Sequence, residues 1–382
     1  MVTSTNRKKA ALLGLVGALG VAAGAPTTSL ADDPGALIPQ VAKDALAKFS
    51  ADPTWLGPTS SPPAATNKFV IDIPCAQAAI GCSRPGDAFI EAAKKMGWKT
   101  QLIDPAGDPN KLQSAVQTAI QLKADGIFFP GGSLSALGDT FKQAKAAGIK
   151  MITMAGEGNA VGPDAWDANI YENTIDYGKA FAAYIAAHTP DAHIVLVNDS
   201  EFPEIDAGSK SFVAAIAGYC PHCVLSRKID FSIVNVTTTM PQQVKAVLQA
   251  DPSISWIVGP YDFASQYVVQ AVSELGRADS VHLISWGGHP QNMQFIQSGQ
   301  VQSATVAVGE EWQGYAAADQ MNRLFNNQPF WKDTPHNKGT EFGSENYAEQ
   351  LVDKSNLPTD IKAFWNSNVD FRSKYYQLWG VK

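Results

Sequence analysis

The sequence predicts an α/β protein of two similar lobes, each a mostly parallel sheet flanked by helices. Three observations predict it. From Lys68 onward, short β-rich runs alternate with runs of helical period, the pattern of βαβ units. The same order then returns, with Phe212 in the place of Phe89, Val258 in that of Phe129 and His282 in that of Met151, at nearly equal offsets. Finally, 382 residues of which 45% are hydrophobic suffice for two separate cores, since domains run to roughly 100–200 residues.

In the first lobe Phe69 to Ile73 is a strand, and Phe89, Ala92, Ala93 and Met96 then share one helical face ahead of Gly97. Thr100 to Ile103 is a strand, and Asp108-Pro109 opens a helix to about Lys123. Gly126 to Phe129, a helix over Leu134 to Ala147, and Ile149 to Met154 follow. In the second lobe the strands are His193 to Val197, Val224 to Ile229, Trp256 to Gly259 and Val281 to Trp286. The helices between them are Ile205 to Gly218, Met240 to Ala250 and Asp262 to Leu275. Before Lys68, one helix over Leu37 to Phe49 precedes a Pro/Ser/Thr-rich stretch, so residues 32–67 read as an arm and linker.

With 29 basic and 36 acidic residues the formal charge is −7. An acidic surface argues against nucleic acid or an anionic membrane as partner. The ordinary apolar fraction excludes a disordered chain, and the pattern excludes collagen, coiled coil and multi-span membrane protein. Residues 1–31 read as a secretory signal: Arg7-Lys8-Lys9, a Gly-rich apolar run from Ala10 to Ala25, and small residues at Ser29 and Ala31. The run is too short and Gly-rich for a good spanning helix, so the expected mature protein is exported, periplasmic or otherwise, and soluble. Cleavage after Ala25 fits as well.

Export makes the four cysteines readable as two local disulfides, Cys75 with Cys82 and Cys220 with Cys223. Cys220-Pro221-His222-Cys223 shares its letters with the active-site motif of periplasmic disulfide oxidases. Here, however, a helix precedes the motif and a strand follows it, so the helix dipole opposes a thiolate and the motif reads as a stapled turn. Only His222 lies nearby, which makes no zinc site.

Ligands of open α/β sheets bind beyond the carboxyl ends of the strands. The loops there span residues 75–87, 130–133, 155–160, 198–204, 259–262, 286–290 and 308–312. They hold no nucleophile elbow, no zinc-protease helix motif and no phosphate loop, so no catalytic residue, metal or cofactor is assigned. They do set aromatic rings beside hydrogen-bonding groups: Trp286 with His289, Tyr261 with Asp262, Phe202 with Asp199, Tyr171 with Asn173, and Trp312 after Glu310. Rings against an apolar ligand face, with carboxylates and amides taking hydroxyl protons, hold a polyol without reaction. Gln77, Ser83 and Glu157 complete the candidate ligand set. Trp286 and Trp312 suit core packing equally well.

Residues 89–156, FIEAAKKMGWKTQLIDPAGDPNKLQSAVQTAIQLKADGIFFPGGSLSALGDTFKQAKAAGIKMITMAG, and 288–321, GHPQNMQFIQSGQVQSATVAVGEEWQGYAAADQM, resemble periplasmic sugar-binding proteins of ABC importers. The resemblance is to the ribose-binding-like type I group and spans about residues 68–330. It implies one small ligand held between two lobes, closure about a three-segment hinge, delivery to a membrane permease, and a monomer. The crossings it implies fall near Ile170–Asn173, near Val308–Glu311 and after about Pro329. The first lobe is then 68–170 with about 309–334, the second 171–308, and 335–382 a C-terminal extension. Ribose-type contacts are replaced by Gly287, Tyr261, Asp206 and Val308, which favours a different sugar or polyol. An aromatic or cationic ligand, caged by rings and rimmed by Glu157, Asp199 and Glu310, is the alternative, as is a chemosensory role.

Overall fold

Helices begin where the sequence supplies a cap. Asp108 accepts from the backbone N–H of Asn110 and Lys111, Ser133 from Ala136, and Asp370 from Ser373, satisfying donors that a helix start leaves unpaired. The computed structural model describes residues 38–155, 164–331 and 347–382. Residues 1–31, with their signal-like pattern, lie outside the described residues.

The chain runs α1 (Gln40–Ser50), β1 (Phe69–Asp72), α2 (Ile80–Lys95), β2 (Lys99–Leu102), α3 (Pro109–Gln121) and β3 (Gly126–Pro130). Next come α4 (Leu134–Leu137), α5 (Asp139–Ala146), β4 (Lys150–Met154) and β5 (Ala168–Ile170). A second series follows: α6 (Thr174–His188), β6 (His193–Asp199), α7 (Pro203–Tyr219), β7 (Val224–Phe231), α8 (Thr239–Ala250) and β8 (Trp256–Val258). It continues with α9 (Asp262–Glu274), β9 (His282–Gly287), α10 (Pro290–Ser298), β10 (Gln302–Val308) and α11 (Glu310–Phe325). The tail adds β11 (Glu349–Asp353) and α12 (Phe371–Trp379).

The first sheet has five parallel strands in the order β2-β1-β3-β4-β5. The second has six, β11-β10-β9-β8-β6-β7, all parallel except β11, which lies antiparallel to β10 with Val306 opposite Leu351. Each sheet has a core on its outer face, around Ile71, Ile127 and Trp166 in the first and Val197, Ile257 and Leu283 in the second. The largest core joins the two sheets, running from Val70 and Phe128 through Tyr315 and Trp312 to Ile284 and Val306. Burial of this kind stabilises by about 25 cal/mol per Å² of apolar surface.

Several elements differ from expectation. The single helix foreseen over Leu134–Ala147 is broken at Gly138, whose φ of 53° is open to glycine at little cost. Helix α6 was not foreseen, because it is buried nearly all round and so shows no one-sided stripe. Gly178 of α6 lies against the Gly208 carbonyl of α7, an approach no Cβ would allow. In the segment 335–382, β11 pairs within the second sheet while α12 packs on α11. The chain therefore returns across the molecule between Asp353 and Phe371. Helix α1 packs on α6 and β11, and the following segment lays Trp55 on Trp312, ring centroids 5.1 Å apart.

Trp312 is thus a core residue. Its ring is fully buried, stacks on Trp55 and on Phe371 (5.5 Å), and donates Nε1–H to the Tyr375 hydroxyl at 3.3 Å. Trp312→Ala should cost about 3–5 kcal/mol of unfolding free energy in urea melts. A loss below about 1 kcal/mol would contradict the packing described.

Candidate functional site

Each half of the molecule ends its parallel strands in short loops, and these loops face one another across a cleft of about 390 Å³. That is the place where open α/β sheets hold ligands, and the volume suits a small molecule.

The first wall comes from loops stitched together by backbone bonds. Cys75 N–H donates to Pro130 O at 2.8 Å, Gly131 N–H to Met154 O at 2.8 Å and Gly107 N–H to Cys75 O at 2.9 Å. The Cys75–Cys82 disulfide ties the β1 loop to α2, and both half-cystines line the cleft. The wall is apolar, formed by Ile73, Ala76, Ile80, Leu112, Phe129 and Met154, with Asp108 and Ser133 as its polar members.

The opposite wall carries Phe202, Ile205, Ile233, Tyr261, Phe263 and Trp286. Trp286, next to last in β9, stands between Tyr177 (5.8 Å) and Tyr261 (6.1 Å, edge-on). The Tyr261 hydroxyl donates to Asp199 Oδ2 at 2.9 Å, and burial lifts that carboxyl to about 6 despite the bond. Glu201 accepts from Ser232 Oγ at 2.7 Å and from Ile233 N–H at 2.8 Å, fixing the loop after β7.

At the cleft floor the chain passes between the sheets. Glu172 follows β5 and Glu310 opens α11; His289 stands between β9 and α10. His289 Nε2 lies 2.9 Å from Glu310 Oε1, and Arg84 donates Nε–H to Glu310 Oε2 at 2.8 Å. Burial alone would push the imidazole down, but the Glu310 carboxylate more than offsets this, so His289 sits above its ordinary value. Glu172 accepts from Gln313 Nε2 at 3.1 Å, and burial raises its carboxyl to about 7. No Lys or Arg lines the cleft among the described residues.

Of the candidate residues, Phe202, Tyr261, Trp286, His289 and Glu310 meet on this cleft, with Asp199 behind Tyr261. Others do not reach it. Asp262 is fully buried and accepts from Ser285 Oγ (2.5 Å), Gly288 N–H (2.7 Å), His289 N–H (2.9 Å) and Thr305 Oγ1 (2.9 Å). Its carboxylate holds the β9 loop from beneath, and it is not among the residues that line the cleft. Gln77 turns to Asp104 and Asp87, and Ser83 is buried within α2. Asn173 donates to Asp176 Oδ2, and the Tyr171 carbonyl accepts from Tyr347; neither residue is on the cleft surface. Trp312 belongs to the core, and Glu157 lies outside the described residues. Sequence reasoning missed Glu172, Glu201, Glu204, Phe129 and Phe263. Glu201 and Glu204 stood in a loop already singled out, and Phe129 ends a strand whose carboxyl end had to face outward.

The Cys220–Cys223 disulfide closes the turn between α7 and β7, at the amino end of β7, whereas the cleft loops follow the carboxyl ends of the strands. Among the described residues no group of His, Cys, Asp and Glu is disposed to hold a metal ion, and no helix is long and apolar enough to cross a membrane.

A family model described as a periplasmic binding protein domain matches residues 73–329. Among solved structures, an ABC transporter solute binding protein from Agrobacterium vitis with bound allitol is similar. It is 20% identical, covers 76% of this chain and 97% of its own, and has a TM-score of 0.64. A 5-methylthioribose transporter solute binding protein from Thermotoga lettingae, in complex with 5-methylthioribose, is 17% identical over 82% of this chain and 94% of its own (TM-score 0.65). A sugar ABC transporter protein from Yersinia enterocolitica is 18% identical over 88% and 97% (TM-score 0.66). At these identities the likeness is one of fold.

The floor carries a pH signature. Burial raises Glu172 to about 7 and Glu349, which accepts from the Tyr177 hydroxyl at 2.7 Å, to about 8. In the unfolded chain both ionise near 4.5. The folded state therefore holds the extra protons, and stability falls as pH rises from about 4.5 to about 8. Glu349→Gln should be more stable than the parent at pH 8, by about 1 kcal/mol or more, with the advantage gone at pH 4.5. Chemical unfolding across that range reads it; a gain that is the same at both pH values would refute the assignment.

Proposed function

The chain belongs to the periplasmic binding protein domain family, and on that premise we propose that it is the exported receptor of an ABC-type importer, capturing a sugar or polyol and handing it to a membrane permease. The observation that carries this reading is the cleft itself. It is walled by strand-end loops of both sheets, lined by Trp286, Tyr261 and Phe202, and floored by hydrogen-bonding groups at the passages between sheets.

Ring faces take the apolar face of a sugar, and carboxylates take its hydroxyl protons. Allitol and 5-methylthioribose, the ligands of two similar structures, support a hydroxylated molecule. In this reading the ligand is bound and released unchanged, with His289 engaged by Glu310. The signal-like residues 1–31 and two disulfides support export. The receptor acts as a monomer. Closure moves the lobes about the passages at 171–173 and 309, and ligand drives it by binding the closed state better.

A thermal-unfolding screen over sugars and polyols tests the proposal. Ligand at a hundredfold excess over its Kd should add about 2.7 kcal/mol of apparent stability and be recovered intact. Trp286→Ala should weaken that ligand at least about tenfold, as loss of a stacked ring does. Chemical conversion of any bound sugar, or full affinity in Trp286→Ala, would sink the reading.

A further inference from the structure

The start of α2 is a helix that its own sequence does not hold. Its N-cap, Ala79, offers no side-chain acceptor, and its first two turns contain Gly81, Pro85 and Gly86. Glycine is a poor helix former, and Pro85 has no N–H to donate to the Gly81 carbonyl one turn before it. Yet these turns carry Arg84, which donates to Glu310 Oε2 and Glu311 Oε1 at 2.8 Å each. Beyond Asp87 the helix is held differently, by a buried face of Phe89, Ala92 and Ala93.

The Cys75–Cys82 disulfide supplies the anchor that the first turns lack. Cys75 is its fixed end: the N–H donates to Pro130 O at 2.8 Å, and the carbonyl accepts from Gly107 N–H at 2.9 Å. The bridge thus joins the loops after β1, β2 and β3 to α2. Gly131 packs on it so closely that a Cβ there would lie 2.8 Å from Cys82 Sγ. Half-buried Cys75, buried Cys82 and Gly131 all line the cleft. A path of contacts therefore leads from wall to floor, through Cys75, Cys82, Arg84, Glu310 and His289. The other disulfide, Cys220–Cys223, staples a turn at the amino end of β7, opposite the strand ends that build the cleft.

Resting on the receptor reading above, we propose that the Cys75–Cys82 disulfide is a redox gate on ligand binding. Oxidised, it holds the first wall and sets Arg84 against the floor. Reduced, it releases the start of α2, and affinity falls while the fold persists. The step is thiol–disulfide exchange with a small dithiol such as dithiothreitol. Two electrons and two protons pass to the bridge, Cys75 and Cys82 become thiols, and the reductant leaves as its cyclic disulfide. The coupling is reciprocal: a ligand that prefers the oxidised form makes the bridge harder to reduce by the same factor.

Two variants separate the bridges. Cys220→Ala/Cys223→Ala keeps the cleft disulfide alone, and Cys75→Ala/Cys82→Ala keeps only the other. Each is titrated calorimetrically, beside the parent, with allitol, ribose, xylose, arabinose, glucose and galactose. At least one of these should bind oxidised Cys220→Ala/Cys223→Ala as it binds the parent. Dithiothreitol should then weaken it about tenfold or more, with the far-UV circular dichroism of the folded protein retained. Cys75→Ala/Cys82→Ala should show the same loss without reductant. Saturating sugar should raise the dithiothreitol concentration at half-reduction by that same factor, which a bridge serving stability alone would not show. A reduced protein that stays folded and binds within about threefold of the oxidised one would overturn the gate and leave the receptor reading standing. Global unfolding on reduction would likewise overturn the gate, making the bridge a stabilising link. Heat from no sugar in the oxidised parent would overturn both readings together.

Discussion

A shared carboxylate at the start of α11 holds the two halves in register. Glu310 stands directly after Gly309, where the chain leaves the second sheet, and it meets Arg84 from α2 and His289 from the β9 loop. Taking a carboxylate out of water costs several kcal/mol, which only close opposite charge and good geometry offset. The amino end of α11 adds a favourable dipole for both Glu310 and Glu311. Glu311 extends the network, accepting from Arg84 at 2.8 Å and from Arg372 at 2.7 Å. One turn of helix thereby fixes α2, the β9 loop and the approach to α12 relative to one another, and the same Glu310 and His289 form part of the cleft floor.

The tail makes that junction thicker than three simple crossings would. After pairing with β10, the chain sets Phe364 beneath the Arg84 guanidinium, 3.9 Å from ring centroid to carbon, and 5.4 Å from the His289 ring. Trp365 N–H donates to Gly288 O at 2.9 Å, and Asn366 donates to Glu311 Oε2 at 3.0 Å. Helix α12 then inserts Phe371, Tyr375 and Trp379 against Tyr315 and Trp312. The aromatic-rich final segment is therefore interior structure. It covers the back of the floor while the strand-end loops cover the front.

How legible this was in the sequence follows from what periodicity can encode. Strands buried on both faces, such as Val70-Ile71 and Ile127-Phe128-Phe129, read plainly because they are uniformly apolar. Helix α8, with one wet face, and the second half of α2 read equally well, but residues 80–87, taken as part of the strand-end loop 75–87, form the first half of α2, Pro85 and Gly86 having masked it. Helix α6 and strand β11 were hidden for different reasons: the first is buried nearly all round and so lacks a clear wet face, and the second lies in a segment with no repeat to compare it with. At the site, the rule about strand ends found Phe202, Tyr261, Trp286, His289 and Glu310. It could not separate Tyr261 from its neighbour Asp262, since the facing of adjacent residues depends on the first turn of α9. Nor could it tell that Trp312, two residues beyond Glu310, turns inward, because only the docked arm and tail supply Trp55 and Phe371 to enclose it.

Two buried acids of the scaffold contrast with one that lines the cleft. Asp319 is fully buried and fully engaged: Arg323 Nε lies 2.7 Å away and Trp379 Nε1–H donates at 2.6 Å. Asp262 is likewise saturated by backbone and hydroxyl donors. Such carboxylates stabilise the fold because every lone pair has a donor. Glu172 has an amide donor and no basic partner among the described residues, and burial lifts it to about 7. A chain selected for stability alone would place a neutral side chain there, since an ionised Glu172 opposes folding at neutral pH. Perturbed carboxyls of that kind concentrate where a fold keeps hydrogen-bonding capacity for something other than itself. Glu172 is of that kind, and it lines the cleft just after β5, where the chain crosses from the first sheet toward the second.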